Sequence, residues 1–139
     1  NKKETFINLG QFILPGPPTD KRLVYDFHQE DSYYPNYKRT IHFHFPVFNS
    51  ATIENGAMSA LSKSHKLGKI KENSYNKIKN GFLSIVPKKI DIIVQKYEHT
   101  CFHLGKNDLL IFYGDLIHKS NSNLSKNCRV IGIHRFGQL

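Results

Sequence analysis

Five stretches of the chain concentrate aromatic and β-branched residues: KRLVYDFHQ (21–29), RTIHFHFPVF (39–48), IDIIVQKY (90–97), DLLIFY (108–113) and CRVIGIHRF (128–136). Such runs read as strands, because branched and aromatic side chains fit a pleated, half-buried surface. Between them lies turn chemistry: PGPPTD, EDSYYPN, NSATIENG, GKND and SNSNLSKN. The segment KIKENSYNKIKNGF (69–82) carries no clear period and reads as a polar loop or short helix. No fixed-period repeat and no linker divides the chain. Short strands with turns between them predict an all-β barrel or sandwich rather than alternating βαβ units.

Length and composition narrow this picture. The 139 residues fit one domain, 1–139, long enough to bury a core. The single methionine is Met58, so the first residue is not an initiator. Two cysteines, Cys101 and Cys128, make no disulfide framework and suit a reducing cytoplasm, the expected location. No apolar run approaches the ~18 residues of a membrane span, so no membrane partner is expected. The formal charge of +9 invites a nucleic-acid reading. However, the lysines of SKSHKLGKIKENSYNKIKN are interleaved with Asn and Glu, with no arginine block and no recognition-helix or zinc-finger pattern. Nucleic acid is therefore not the expected partner, and an anionic small molecule suits such a surface equally well.

Candidate chemistry begins at VYDFHQEDSYYP (24–35). On a strand, residues i and i+2 share a face, so His28 and Glu30 are expected to point together while Gln29 turns away. With a second histidine from elsewhere, the set becomes a two-histidine, one-carboxylate triad with open metal positions, as in non-haem Fe(II) oxygenases. An isolated His-x-Glu at a strand end is more often an ordinary surface pair. The second candidate stretch is GKNDLLIFYGDLIHKSNSNLSKNCRVIGIHRF (105–136), where DLLIFY runs into a turn and then His118. The following loop is long enough to reverse the chain, which puts His118 and Arg129 on neighbouring antiparallel strands. Arg129, Ile131 and Ile133 then share one face. An arginine among apolar neighbours calls for a carboxylate partner, either a structural acid or a ligand.

In their order and spacing these residues resemble the phytanoyl-CoA hydroxylase-like Fe(II)/2-oxoglutarate-dependent dioxygenases, over about positions 23–136. HQED followed by SYYP is similar to the family's first metal segment. FPVFNSATIENGAMSALSKSHKLG resembles its strand, E-N-G and G-S-H run, and NDLLIFYGDLIHKSNSN its G-D and distal His-x-Ser. Arg129 falls eleven residues past His118, where the family keeps its 2-oxoglutarate arginine. There are departures: Glu30 stands where Asp is commoner, Asn107 precedes Asp108 where Gly is usual, and Lys63 replaces the Gly of G-S-H. The family's chains are also longer, so the domain is expected to lack part of the N-terminal region.

The resemblance implies a double-stranded β-helix, a cupin-like jelly-roll with minor helical and loop insertions. It implies Fe(II) held by His28, Glu30 and His118, and 2-oxoglutarate held by Arg129 with help from Ser120. The implied reaction uses dioxygen to hydroxylate an unactivated C–H bond of a small-molecule substrate, releasing succinate and carbon dioxide. The retained carboxylate favours hydroxylation over halogenation, with desaturation or ring closure as other outcomes. Against this stand an idle jelly-roll that binds a metabolite or sugar, and a basic nucleic-acid-binding barrel.

Other residues offer rival readings. His42 and His44 in TIHFHFP form an H-x-H pair with Phe43 and Phe45 opposite, as in some metal-binding cupins, but no carboxylate follows at convincing spacing. His99, His103 and His134 read as surface or strand-face residues. Asp31 replaces Glu30 only if the chain leaves strand geometry at once. Tyr33 and Tyr34 either line a substrate entrance or pack beside the barrel.

Overall fold

The computed structural model describes residues 4–19, 24–72, 77–79 and 82–139. In chain order the strands are β1 (Phe6–Gly16), β2 (Arg39–Pro46), β3 (Ser59–Leu61), β4 (Lys77–Lys79) and β5 (Phe82–Ser84). After the short helix α1 (Ile90–Lys96) come β6 (His99–Cys101), β7 (Leu110–Tyr113), β8 (His118–Lys119) and β9 (Arg129–Gln138). One antiparallel sheet runs β1-β9-β2-β7, a second runs β6-β3-β8, and β4-β5 form a separate hairpin. This is the expected jelly-roll with minor helical insertions.

The strand β2 shows what kind of interior this is. Thr40, His42, His44 and Pro46 are buried, whereas Phe45 is exposed and Ile41 and Phe43 are half-buried. The period of two is kept, but polar groups face inward, which is costly unless they are hydrogen-bonded or serve a ligand. Among the described residues, apolar packing comes from two small clusters. Ala51 and Ala57 pack with Ile131 and Ile133 of β9, and Ala60 packs with Phe112 and Leu116.

Three sequence expectations change. IDIIVQKY forms α1 rather than a strand. Its half-buried positions are Ile90, Ile93, Val94 and Tyr97, the i, i+3, i+4, i+7 spacing of one helix face. The run KRLVYDFHQ is not a strand where described: Val24–Phe27 are irregular, and His28 makes only an isolated bridge to His118. Its residues 21–23 lie outside the described residues, as does part of 69–82, whose described remainder supplies β4. Conversely, β1 carries no clean alternation in the sequence. As an edge strand it leaves most side chains exposed, and a bulge at Gly10 (φ +122°) shifts its register.

His118 and Arg129 are not on neighbouring strands. β8 pairs with β3 in one sheet, while β9 lies between β1 and β2 in the other. The intervening loop crosses from sheet to sheet instead of turning a hairpin. Its amides hold it there: Asn121 Nδ2 donates to Ala57 O and Ser59 Oγ, and Asn123 Nδ2 donates to Gly16 O and Asn127 O. The two residues thus reach the same cavity from opposite sheets.

Candidate active site

His28 and His118 meet because their backbones form one antiparallel bridge. His28 N donates to His118 O (2.9 Å) and His118 N to His28 O (3.1 Å), so both rings leave on one side, with centroids 4.3 Å apart. Gln29 is still extended (φ −117°, ψ 130°), and the chain then tightens into a 3₁₀ turn over Glu30–Tyr33. The single extended residue is enough to return Glu30 to the face of His28. Its Oε1 lies 3.6 Å from His28 Nε2 and 3.8 Å from His118 Nε2. All three side chains are buried, and their ligand atoms lie within 4.8 Å of one another.

Hydrogen bonding fixes what these atoms offer. Nδ1 of His28 faces Asp26 O (2.7 Å) and Nδ1 of His118 faces Leu116 O (2.9 Å). A carbonyl only accepts, so each Nδ1 donates to its carbonyl and each Nε2 is the atom turned toward Glu30. Burial, with His28 beside it, lowers the pKa of His118 and keeps it neutral. Burial would raise that of Glu30, but His118, His28 and the Arg135 guanidinium outweigh it and hold the carboxyl well below its usual range. Two imidazole Nε2 atoms and a carboxylate oxygen therefore converge on one point. Such a donor set fits a divalent cation.

The residues flanking Glu30 have other tasks. Gln29 is fully buried: its Nε2 donates to Gly68 O (2.9 Å) and Asp115 O (2.6 Å), and its Oε1 accepts from Ile70 N (2.9 Å). It ties the loop before β4 to the turn before β8. The chain does leave strand geometry at once, yet Asp31 still turns away from the triad. Its Oδ1 accepts from Thr40 N (2.8 Å) and Thr40 Oγ1 (2.6 Å). A Cβ on Gly114 would collide with Thr40 Oγ1 and Asp31 Oδ1, which accounts for glycine before Asp115.

The triad opens on a cavity of about 480 Å³ whose lining also includes Ser120, Arg129, Tyr25, Tyr33 and Tyr34. Arg129 is 6% exposed; its Nη1 donates to Gly56 O, and its Nε has no partner. Gly56 takes φ +85°, and Gly16 leaves room for the guanidinium, since a Cβ there would sit 2.9 Å from Nη2. Burial lowers the pKa of Arg129 without neutralising so strong a base. An unpartnered N–H on a buried cation fits a carboxylate. Tyr33 and Tyr34 do line the cavity, with their hydroxyls accepting from Ile85 N (3.0 Å) and Arg135 Nη1 (3.1 Å). His99 and His103 are exposed and His134 half-buried.

His42 and His44 are buried but outside the triad, with the Phe112 ring between them and His118. Burial depresses both to about 3, so they are neutral. The sequence reading missed Arg135. It continues the inward face of β9 past Arg129, Ile131 and Ile133, and its Nη2 lies 3.2 Å from Glu30 Oε1. The same two-residue period, extended one step further, identifies it.

A double-stranded β-helix burying two histidines and a carboxylate at the mouth of one cavity defines a jelly-roll with a candidate metal centre. The chain belongs to the phytanoyl-CoA dioxygenase (PhyH) family, whose sequence profile matches residues 5–131. It is 26% identical over 104 residues to a phytanoyl-CoA dioxygenase domain-containing protein 1 homolog of Dictyostelium discoideum, covering 75% of this chain and 37% of that protein. It thus spans little more than a third of that relative's length.

Among solved structures, EvdO2 of Micromonospora carbonacea var. aurantiaca complexed with 2-oxoglutarate is similar (TM-score 0.72, 17% identity, 98% of this chain and 52% of that one). So is the epimerase SnoN in complex with Fe3+, alpha ketoglutarate and nogalamycin RO (0.74, 10%, 95% and 50%). EctD of S. alaskensis with 2-oxoglutarate and 5-hydroxyectoine is a third (0.70, 14%, 95% and 44%). At these identities the likeness is one of fold. Among the described residues no helix is long and apolar enough to cross a membrane.

Proposed function

We propose that this jelly-roll domain is an Fe(II)- and 2-oxoglutarate-dependent oxygenase that hydroxylates an unactivated C–H bond of a small-molecule metabolite. His28, Glu30 and His118 hold the iron, and Arg129, with Ser120 nearby, binds the far carboxylate of 2-oxoglutarate. The observation that carries the reading is the buried convergence of three ligand atoms in a cavity that Arg129, a buried cation with an unpartnered Nε, also lines. When bound, iron and 2-oxoglutarate supply the oxygen-dependent chemistry that releases succinate and carbon dioxide.

The protein supplies order and dryness. The carbonyls of Asp26 and Leu116 keep both imidazoles in the tautomer that leaves Nε2 free. Glu30 contributes one negative charge and stays ionised at neutral pH. Arg129 fixes the cosubstrate's orientation through charge-assisted bonds in a water-poor pocket, where such bonds are strong. Leu14, Phe102 and Leu104 line the cavity with apolar surface. The test is anaerobic addition of Fe(II) and then 2-oxoglutarate, followed by visible absorption. A metal-to-ligand charge-transfer band that is lost in His118→Ala is expected. Wild-type protein that gives no band overturns the reading in favour of an idle metabolite-binding jelly-roll.

A further inference from the structure

His42 of the H-x-H pair lies outside the triad, and one hydrogen-bonded circuit joins it to Arg135. Arg135 donates from all three of its nitrogens: Nη2 toward Glu30 Oε1 (3.2 Å), Nη1 to Tyr34 Oη (3.1 Å) and Nε to His42 Nδ1 (3.3 Å). His42 Nε2 lies 2.7 Å from Thr40 Oγ1, which is 2.6 Å from Asp31 Oδ1.

The direction of each bond follows from what each atom can do. Guanidinium nitrogens only donate, so His42 Nδ1 must be an acceptor. The neutral ring then carries its proton on Nε2 and donates it to the threonine oxygen. That hydroxyl has one proton of its own and gives it to the Asp31 carboxylate. The circuit therefore runs Arg135 to His42 to Thr40 to Asp31, and closes through the backbone onto Glu30. With His42 neutral, no other assignment of the ring and hydroxyl protons satisfies these bonds. His42 and Thr40 are both fully buried, so each depends on these bonds rather than on bulk solvent.

We propose that Arg135 and His42 are positioning residues for the Glu30 carboxylate: Arg135 holds Oε1 toward the two Nε2 atoms, and His42 holds Arg135. A glutamate in a short turn has more torsional freedom than the aspartate commoner at this position, and the guanidinium removes it. The three anchors fix the plane of the fork as well as its distance. The adjacent ring stack keeps His42 in place, with Phe112 at 5.3 Å and an interplanar angle of 22°. This inference rests on the reading of His28, Glu30 and His118 as a metal site.

The experiment uses Co(II) as the probe and reads both its affinity and its visible d–d spectrum in the whole chain. His42→Leu removes both ring nitrogens but leaves the Arg135 charge in place, so a change reports position rather than electrostatics. Partners behind metal ligands typically change affinity by about 10- to 100-fold. We expect His42→Leu to bind Co(II) at least about tenfold more weakly, with an altered spectrum, at a thermal midpoint that shows it folded. His42→Gln offers a donor to Thr40 and an acceptor to Arg135, and should restore affinity and spectrum to near the wild-type values. If the leucine variant does not fold, Arg135→Lys carries the same test: it keeps the charge, loses the fork and should also bind about tenfold more weakly. Folded variants with wild-type affinity and spectrum overturn the positioning role, as does a glutamine variant no better than leucine. Wild-type protein that takes up no Co(II) overturns the metal-site reading itself, and this inference with it.

Discussion

On the proposed function, replacing Arg129 by alanine should separate cosubstrate binding from metal binding. The guanidinium is 6% exposed, has one nitrogen committed to Gly56 O and leaves Nε without a partner. A carboxylate that pairs with it gains at least one charge-assisted bond, of about 1.5–3 kcal/mol. At ~1.4 kcal/mol per factor of ten, loss of that bond weakens 2-oxoglutarate binding by about 10- to 150-fold. Lysine keeps the charge but not the planar fork, so Arg129→Lys should fall between wild type and alanine. Both variants also lose the tie to Gly56, roughly 1–2 kcal/mol of stability, which thermal denaturation measures separately. The assay is 2-oxoglutarate titration of the anaerobic Fe(II) protein, with Fe(II) affinity as the control that should change little. Arg129→Ala protein that binds 2-oxoglutarate as tightly as wild type refutes the assignment and leaves the arginine a purely structural cation.

Three further outcomes follow from the same geometry. Glu30→Ala should abolish Co(II) uptake, whereas Asp31→Ala, which strands Thr40 N and Oγ1, should cost about 2–4 kcal/mol of stability and spare the metal; the reverse pattern in metal titration and urea unfolding would exchange their roles. Lys63 occupies φ +65° where the family has glycine, so Lys63→Gly should raise stability by about 1 kcal/mol, and an unchanged or lower urea midpoint counts against that strain. Burial holds His42 and His44 at about 3, against an ordinary 6.5, so below 6.5 the unfolded chain binds protons that the folded chain refuses. Stability should be full above that value and fall toward pH 3 by roughly 1.4 kcal/mol per unit for each histidine; a urea midpoint flat between about pH 7 and about pH 5 refutes it.

The chain's local chemistry determined a good deal. Aromatic and β-branched runs marked β2, β7 and β9, and the order of HQED, the distal His118 and Arg129 pointed to the candidate site, because polar side chains at such spacing are legible as chemistry. Tertiary structure decided how those residues meet. IDIIVQKY could not be assigned from its branched residues, since only packing of one helical face selects α1. His28 and Glu30 converge through a single bridge and a tight turn, not a continuing strand, and that bridge exists only because His118 lies opposite. The placement of His118 and Arg129 in different sheets depends on a loop pinned by Asn121 and Asn123 to partners distant in sequence. Arg135 and His42 gain their roles from the Glu30 carboxylate, 105 residues before Arg135. A strand's period shows which side chains face inward; which groups they meet there is set by the pairing of strands far apart in the chain.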